Sequence, residues 1–511
     1  MALLRYQLAC LAGRMIYHLL RLTGRQASTL PGRVTLLIDP EALAISARGR
    51  QILCVTGTNG KTTSTSVLAR LLESGLPAGS RVLTNAFGAN LTSGMMTVLL
   101  QSKAGDFVVL EADEAAFARA AASLKPQLIL VTNIFRDQLD RYGELDTVYK
   151  LILKGCLDAG QDTCRLVLGA DDPHVAALGS SSVHTTYFGA QASECAPRHQ
   201  SGNMTDAAHC PVCGSLLTYQ GRSISHMGLY RCPACDFSRP EPEYRFRRQT
   251  AADTSAEAAG SLELTYCRVA GAQGPQPLIF QEQLTQLLPL RLAGLYNAYN
   301  ICGAVAAALT FIPQMTLPQV RAALEQVRPS FGRLERISYG DKSVCFILVK
   351  NPTGMEQGLR LVSEAKDAGG VIFFLNNHVN DGVDISWIWD APLEQVRLPA
   401  MPVGAGGQRR GDMALRLHYA LGDSVTIAQS EDKLALVRQF LAQCKPGQCL
   451  YLLPNYTAML QLRQELAPLL GYERRWDPKQ PRPAAADPSR LTTARPAVNT
   501  HAEEKQDGKV K

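Results

Sequence analysis

Short unbroken apolar runs recur along the first third of the chain: Gln51–Thr56 (QILCVT), Phe107–Glu111 (FVVLE), 128–132 (LILVT) and 165–168. Runs of this length, rich in aliphatic and β-branched residues, are the pattern of strands buried on both faces. Helical patterns lie between them, beginning at 62–74 directly after a Gly-rich turn. Strand and helix in alternation predict a parallel sheet wrapped by helices. Residues 33–48 mix short strand and turn signals. Residues 296–311 (YNAYNICGAVAAALTF) predict an Ala-rich helix. A second α/β unit is expected from near residue 334, with strands at 344–349 and 370–375 and a helix near 431–444.

The pattern breaks in three places. Residues 1–25 are apolar but interrupted by Arg5, Arg14, His18 and Arg21. They predict an amphipathic helix packed on the body, compatible with peripheral membrane contact, and contain no apolar core of signal-peptide length. No apolar stretch reaches the length of a membrane span. From about 195 to 250 apolar runs shorten while Cys, Pro, Gly and Arg rise, as in an insertion, and 271–277 is a turn-rich connector. After Trp476 periodicity is lost, and 478–511 is expected to be a disordered tail. The expected domains are an N-terminal helix and lead-in (1–48), a central domain (49–330) with an insertion near 205–240, a C-terminal α/β domain (331–475) and the tail (476–511).

Composition adds little to this picture: 511 residues, 46% hydrophobic and 19% charged, with a net charge of +7, are ordinary for a globular protein. The positive excess suits an anionic substrate, and it is too weak and too spread out for a nucleic-acid partner. Fourteen cysteines could build disulfides. Four sit in two C-x-x-C pairs, however, and others lie singly in apolar runs (Cys54, Cys302, Cys345). Buried free thiols in a reducing cytosol are the simpler reading.

Two motifs carry chemistry. The first is Gly57-Thr58-Asn59-Gly60-Lys61-Thr62-Thr63, between a strand and a helix. Backbone N–H groups of such a loop can surround phosphate oxygens at the helix N-terminus. Lys61 would neutralise phosphate charge and Thr62 would offer its hydroxyl to Mg²⁺. The first glycine of the full P-loop consensus is replaced by Val55. The second motif is Cys210-Pro-Val-Cys213, eighteen residues, then Cys232-Pro-Ala-Cys235. Two such knuckles bring four thiolates into a tetrahedron that suits a structural Zn²⁺. A redox dithiol is the competing reading. His209 and His226 are expected to be surface residues rather than ligands.

The heptapeptide resembles the nucleotide loop of the Mur ligases and folylpolyglutamate synthetases, and further segments match in order. Glu111 resembles the family's Mg²⁺-binding acid. Thr132-Asn133 with Asp137 and Asp140 resembles its TN…D..D segment. Asn297 and Asn300 resemble the asparagine-bearing helix near the adenine, and FGRLE (331–335), with Arg333, resembles the hinge motif. The cysteine ribbon, IFRDQLDRYGE (134–144), KNPTG (350–354) and DGVDISWIWD (381–390) are similar to one branch of that family, the synthetase subunits of lipid II isoglutaminyl synthase. The likeness covers about residues 25–470. Asn377-His378 departs from the Asp-Asn pair more common there.

The resemblance implies an α/β fold with a Mur ligase-like central P-loop domain, built on a parallel sheet with a zinc-ribbon insertion, and a C-terminal Rossmann-like domain. It implies a cytoplasmic ATP-dependent carbon–nitrogen ligase of peptidoglycan synthesis, at the inner face of the membrane. Such an enzyme uses ATP and Mg²⁺ to activate the α-carboxylate of the D-isoglutamyl residue of lipid II, for attack by ammonia. It works as a heterodimer with a GatD-type glutamine amidotransferase. Lys61 and Glu111 are the implied catalytic residues, with the 57–63 loop, Asn133, Asn297 and Arg333 on the nucleotide and Thr62 and Glu111 on Mg²⁺. An aspartate at the position of Asp384 is implied to complete the partner's Cys–His pair across the interface. Asp381 and Asp390 are the rival acids. No cysteine of this chain lies in a G-x-C-x-G elbow, so ammonia must come from a partner or from solution. A ligase that adds an amino acid, or a non-catalytic zinc-ribbon scaffold, is the alternative.

Overall fold

The computed structural model describes residues 2–23, 27–85, 89–137, 145–197, 206–249, 261–269, 280–289, 292, 294–327, 333–395, 398 and 400–470. Three helices lead the chain: α1 (Ala2–Leu22), α2 (Leu30–Ile38) and α3 (Ala42–Ala47). The mixed strand and turn signals at 33–48 are therefore corrected to helix. Nine- and six-residue helices are too short to announce themselves by periodicity, and packing rather than propensity holds them. Pro31 opens the first turn of α2. Thr97 Oγ1, on the helix Thr92–Gln101, accepts the N–H of Gly32 at 2.9 Å, locking α2 onto the body.

The body is a nine-stranded sheet. Its strands are β1 (Gln51–Thr56), β2 (Val82–Thr84), β3 (Phe107–Glu111), β4 (Leu128–Val131), β5 (Arg165–Gly169) and β6 (Thr185–Ala190). The small strands β7 (Ala196–Pro197), β8 (Thr218–Arg222) and β9 (Gly228–Arg231) form a separate sheet, and β10 (Tyr244–Gln249), β11 (Ser261–Val269) and β12 (Phe280–Pro289) extend the main one. The order is β12-β11-β10-β6-β5-β4-β1-β3-β2, parallel from β10 to β2 and antiparallel beyond. Strand β1 shows why the apolar runs were unbroken. Leu53 and Val55 point into one core and Ile52 and Cys54 into the other, so both faces are covered. The connector at 271–277 and the tail at 478–511 lie outside the described residues.

The insertion leaves the sheet after β6 and returns in β10. It is tied down at the end of β5. Asp171, fully buried, accepts from Arg239 Nε at 2.6 Å and from the Tyr299 hydroxyl, while Tyr230 donates to the Ala170 carbonyl at 2.9 Å. His226 is also part of this anchor, which corrects its expected surface position. It is wholly buried, with Nε2 3.3 Å from Asp172 Oδ2 and its ring against Phe135. His209 is exposed as expected.

The C-terminal unit is a six-stranded sheet of β13 (Arg333–Tyr339), β14 (Lys342–Ile347), β15 (Ala368–Phe374), β16 (Val403–Gly406), β17 (Ile427–Gln429) and β18 (Cys449–Pro454). Only the β13–β14 pair is antiparallel. Val371 and Phe373 face one core and Ile372 and Phe374 the other. Glu335 forms a buried ion pair with Arg463 of the last helix, fastening the strand that follows the hinge. The cysteines in the described residues are free thiols. No helix among these residues is long and apolar enough to cross a membrane.

Candidate functional site

The nucleotide loop leaves β1 and enters helix α4 (Lys61–Gly75). Gly57 and Gly60 have φ of 118° and 85°, a region that favours glycine. Space forbids a side chain there as well. A Cβ on Gly57 would sit 2.5 Å from Thr132 Oγ1, and one on Gly60 only 1.9 Å from Asn300 Oδ1. The loop is braced from below. The N–H groups of Thr58 and Asn59 are held by the Asn133 carbonyl (2.8 Å) and side chain (2.9 Å), and Thr132 Oγ1 donates to the Asn59 carbonyl at 2.8 Å. Asn133 and Asn300 therefore shape the loop. Asn297 is buried beside Asn300, one helical turn away, at 3.3 Å.

Helix α4 begins without a capping side chain, and its first internal bond runs from Ser64 N–H to the Gly60 carbonyl. The first-turn N–H groups from Gly60 to Thr63 are the usual donors for a phosphate. The Thr63 side chain is buried. Lys61 Nζ contacts the carbonyls of Gly57 and Thr58 and lies 3.2 Å from Glu114 Oε1. Burial works against its charge, but the carboxylates of Glu114, Asp113, Glu111 and Asp137 outweigh it and hold the ammonium above the ordinary lysine range.

Thr62 Oγ1 donates to Glu111 Oε1 at 3.0 Å. Glu111 is set by Asn85, whose side chain accepts from its N–H (2.7 Å) and donates to its carbonyl (2.8 Å). A hydroxyl and a carboxylate side by side are hard oxygen donors that fit Mg²⁺ next to a phosphate. The loop geometry, the lysine and this oxygen pair together fit a nucleoside triphosphate with its metal.

The C-terminal unit closes the site. Lys350 forms an ion pair with Asp137 and reaches the Thr58 carbonyl at 3.4 Å. Asn351 caps the helix Pro352–Glu364 through the Gly354 N–H at 2.8 Å and donates to Asn59 Oδ1 at 3.1 Å. Sequence reasoning placed Lys350 and Asn351 in a signature but gave them no role, and it missed Glu114 and Asn85. The Asp-Glu pair after FVVLE was the only signal for Glu114. Arg333 opens β13, and its side chain, like Asp140, lies outside what the structure describes.

Residues 135–137 join three parts of the molecule. Phe135 N–H donates to Thr58 Oγ1 at 3.1 Å, Arg136 lies 3.3 Å from both Asp206 and Asp390, and Asp137 holds Lys350. This separates the three acids of the 381–390 segment. Asp381 is buried, accepting from the backbone N–H (2.8 Å) and hydroxyl of Thr457. Asp390 is paired with Arg136. Asp384 is exposed on a turn, where it accepts from the N–H and hydroxyl of Ser386 at 2.8 and 2.9 Å. Ile388 anchors the short helix Trp387–Asp390 in the core and leaves Trp389 48% exposed beside Asp384's turn.

The four cysteine sulfurs lie within 4.8 Å of one another, with Cys210–Cys235 at 3.7 Å and Cys213–Cys232 at 3.5 Å. Sulfurs set tetrahedrally about an ion at about 2.3 Å are about 3.8 Å apart. The two knuckles fold alike: Cys210 N–H donates to the Ser215 carbonyl and Cys232 N–H to the Phe237 carbonyl, at 2.7 and 2.8 Å. The set is compatible with zinc.

Two family profiles match the chain, the Mur ligase middle domain over residues 55–212 and the MurT ligase C-terminal domain over residues 348–459. The lipid II isoglutaminyl synthase (glutamine-hydrolyzing) subunit MurT of Streptococcus pneumoniae is 33% identical, over 91% of this chain and 97% of its own. The same subunit of Staphylococcus aureus (strain N315) is 26% identical, over 87% and 94%. Among solved structures, a pseudomurein peptide ligase type C from Methanothermus fervidus matches with a TM-score of 0.61 at 18% identity, over 84% of this chain and 80% of that one. MurF ligase from Thermotoga maritima in complex with ADP matches at 0.56 and 12%, over 84% of each. These likenesses bear out the Mur ligase-like α/β fold.

Proposed function

The chain belongs to the MurT family of Mur ligase-like synthetase subunits, and from that premise we propose that it amidates the α-carboxylate of the D-isoglutamyl residue of lipid II, using ATP. The observation that carries the proposal is the convergence of Lys61, Thr62, Glu111 and Glu114 at the start of α4. Lys61 and the first-turn N–H groups hold the β- and γ-phosphates and take up charge as the γ-phosphoryl moves. Thr62 and Glu111 would hold Mg²⁺, which would supply further charge neutralisation there. A carboxylate oxygen attacks the γ-phosphorus, and ADP leaves. Ammonia then attacks the acyl carbon of the resulting acyl phosphate; phosphate departs with the carboxylate oxygen, and the amide remains after loss of a proton. Closure through Lys350 and Asn351 keeps water from the acyl phosphate.

Ammonia comes from a GatD-type glutamine amidotransferase in a heterodimer, with Asp384 orienting the partner's catalytic imidazole. Zinc at Cys210, Cys213, Cys232 and Cys235 is structural. The complex works at the inner face of the membrane, where its lipid-linked substrate lies. The test is amidation of lipid II by the purified chain with ATP, Mg²⁺ and ammonium, read by mass spectrometry. Wild type should form the amide with one ADP per product, and Lys61→Met should lose about 100-fold or more in rate with its fold intact. Equal rates in the two proteins would refute the site.

A further inference from the structure

One face of the N-terminal layer is covered by none of the described residues. Helix α1 is 21 residues long, and its sequence contains no acid. Its inner side, Ala9, Cys10 and Gly13, is buried on the body. On the outer side Leu4, Leu8, Leu11, Met15, Leu19 and Leu22 are 54–86% exposed. At 3.6 residues per turn these positions form one straight stripe along the whole helix. Leu37 of α2, the helix packed on α1, is also 74% exposed. Single exposed leucines are ordinary, but a continuous row marks a contact surface.

The rim of the stripe is cationic. Arg5, Arg14 and Arg21 flank it on α1 and Arg33 is exposed on α2. Two of them are fixed in place: Arg5 Nε donates to the Ile38 carbonyl at 2.7 Å, with Asp39 3.9 Å away offsetting part of its charge, and Arg14 Nε donates to the Leu100 carbonyl at 3.1 Å. An apolar row edged by guanidinium groups complements a bilayer surface, with acyl chains below and phosphates at the edge. The same charges repel an identical stripe on a second copy.

We propose that this face docks the protein on an anionic phospholipid surface, with α1 lying in the interfacial plane. The inference rests on the reading of a lipid-linked substrate given above and identifies the surface that would bring the site to it. Position agrees: α2 packs on the helix Thr92–Gln101, and just before that helix the Asn90 carbonyl accepts the N–H of Asp113, beside the acidic side of the nucleotide site. The docked layer is thus one helix away from the catalytic groups.

The experiment is co-sedimentation of the full chain with phosphatidylcholine vesicles, with and without phosphatidylglycerol. It compares wild type with Leu8→Gln/Met15→Gln and, as a second pair at the ends of the stripe, Leu4→Gln/Leu19→Gln. Wild type should bind the anionic vesicles, with affinity falling in pure phosphatidylcholine and at high salt. Each variant should bind about tenfold more weakly or worse at unchanged melting temperature. Amidation of a short-chain, water-soluble substrate should be unchanged, while amidation of vesicle-embedded substrate falls. No vesicle binding, or equal binding by wild type and both variants, overturns the proposal. So does a wild-type dimer, or a glutaminase complex, that the substitutions dissolve, since the stripe would then be a protein interface. Docking without any amidation would leave this surface standing and sink the proposed reaction instead.

Discussion

Asn351 Nδ2 donates to Asn59 Oδ1 at 3.1 Å, a bond between the N-cap of the C-terminal unit's Pro352–Glu364 helix and the middle of the nucleotide loop. The same side chain caps that helix. Serine is an equally good cap but too short to reach Asn59. Asn351→Ser should therefore keep the melting temperature within a few degrees while lowering kcat about tenfold or more, because the closed geometry is lost. A variant with wild-type kcat would show that this bond does not organise the site.

The cysteine cluster should hold one zinc per chain, measurable by elemental analysis of purified protein. Closed four-thiolate sites contribute directly to folding. Cys232→Ser should lose the metal and unfold the insertion, exposing Tyr219 and Tyr230, which the insertion buries. Nucleotide binding should suffer less. A metal-free protein with a wild-type melting curve, or a disulfide within the cluster, would contradict this.

His174 should make the protein acid-labile. Burial pushes its imidazole below the ordinary value of 6.5, and nearby His226 adds to this, against the pull of Asp172 and Asp146. In the unfolded chain His174 takes up its proton as pH falls through about 6.5, while the folded chain resists. The unfolded state then binds more protons, so stability falls with pH from that point down to the folded pKa, by at most about 1.4 kcal/mol per pH unit. His174→Gln should flatten the melting temperature between about pH 7 and 5. An unchanged slope would assign the effect to other groups.

Asp384→Asn in the glutaminase complex should nearly abolish glutamine-driven amidation. Synthesis driven by added ammonia, nucleotide binding and complex formation should persist, because Asp384 is exposed on a turn apart from the nucleotide loop. A parallel fall in the ammonia-driven rate would place its role within the synthetase.

What the sequence made legible was local. QILCVT followed by GTNGKTT places strand, loop and helix by adjacency, and the paired C-x-x-C spacing places four sulfurs together. The contacts it hid are distant ones. Asn351 meets Asn59 across 292 positions, and no pattern near either residue announces the other. Glu114 carried no motif of its own, and only the fold sets it beside Lys61. His226 sits in a polar, Gly-containing stretch that reads as surface, but it is buried because the insertion folds back onto Asp172 and Phe135. Helices α2 and α3 were hidden because their order comes from the surface they pack on.

The Lys61 site activates the carboxylate as an acyl phosphate in the reaction proposed above. Lipid II carrying ¹⁸O in the isoglutamyl α-carboxylate tests it most directly, with ATP, Mg²⁺ and ammonia as the other reactants. One ¹⁸O should appear in the inorganic phosphate for each amide formed, since phosphate leaves with the oxygen that attacked it. Amide formation with unlabelled phosphate would contradict it.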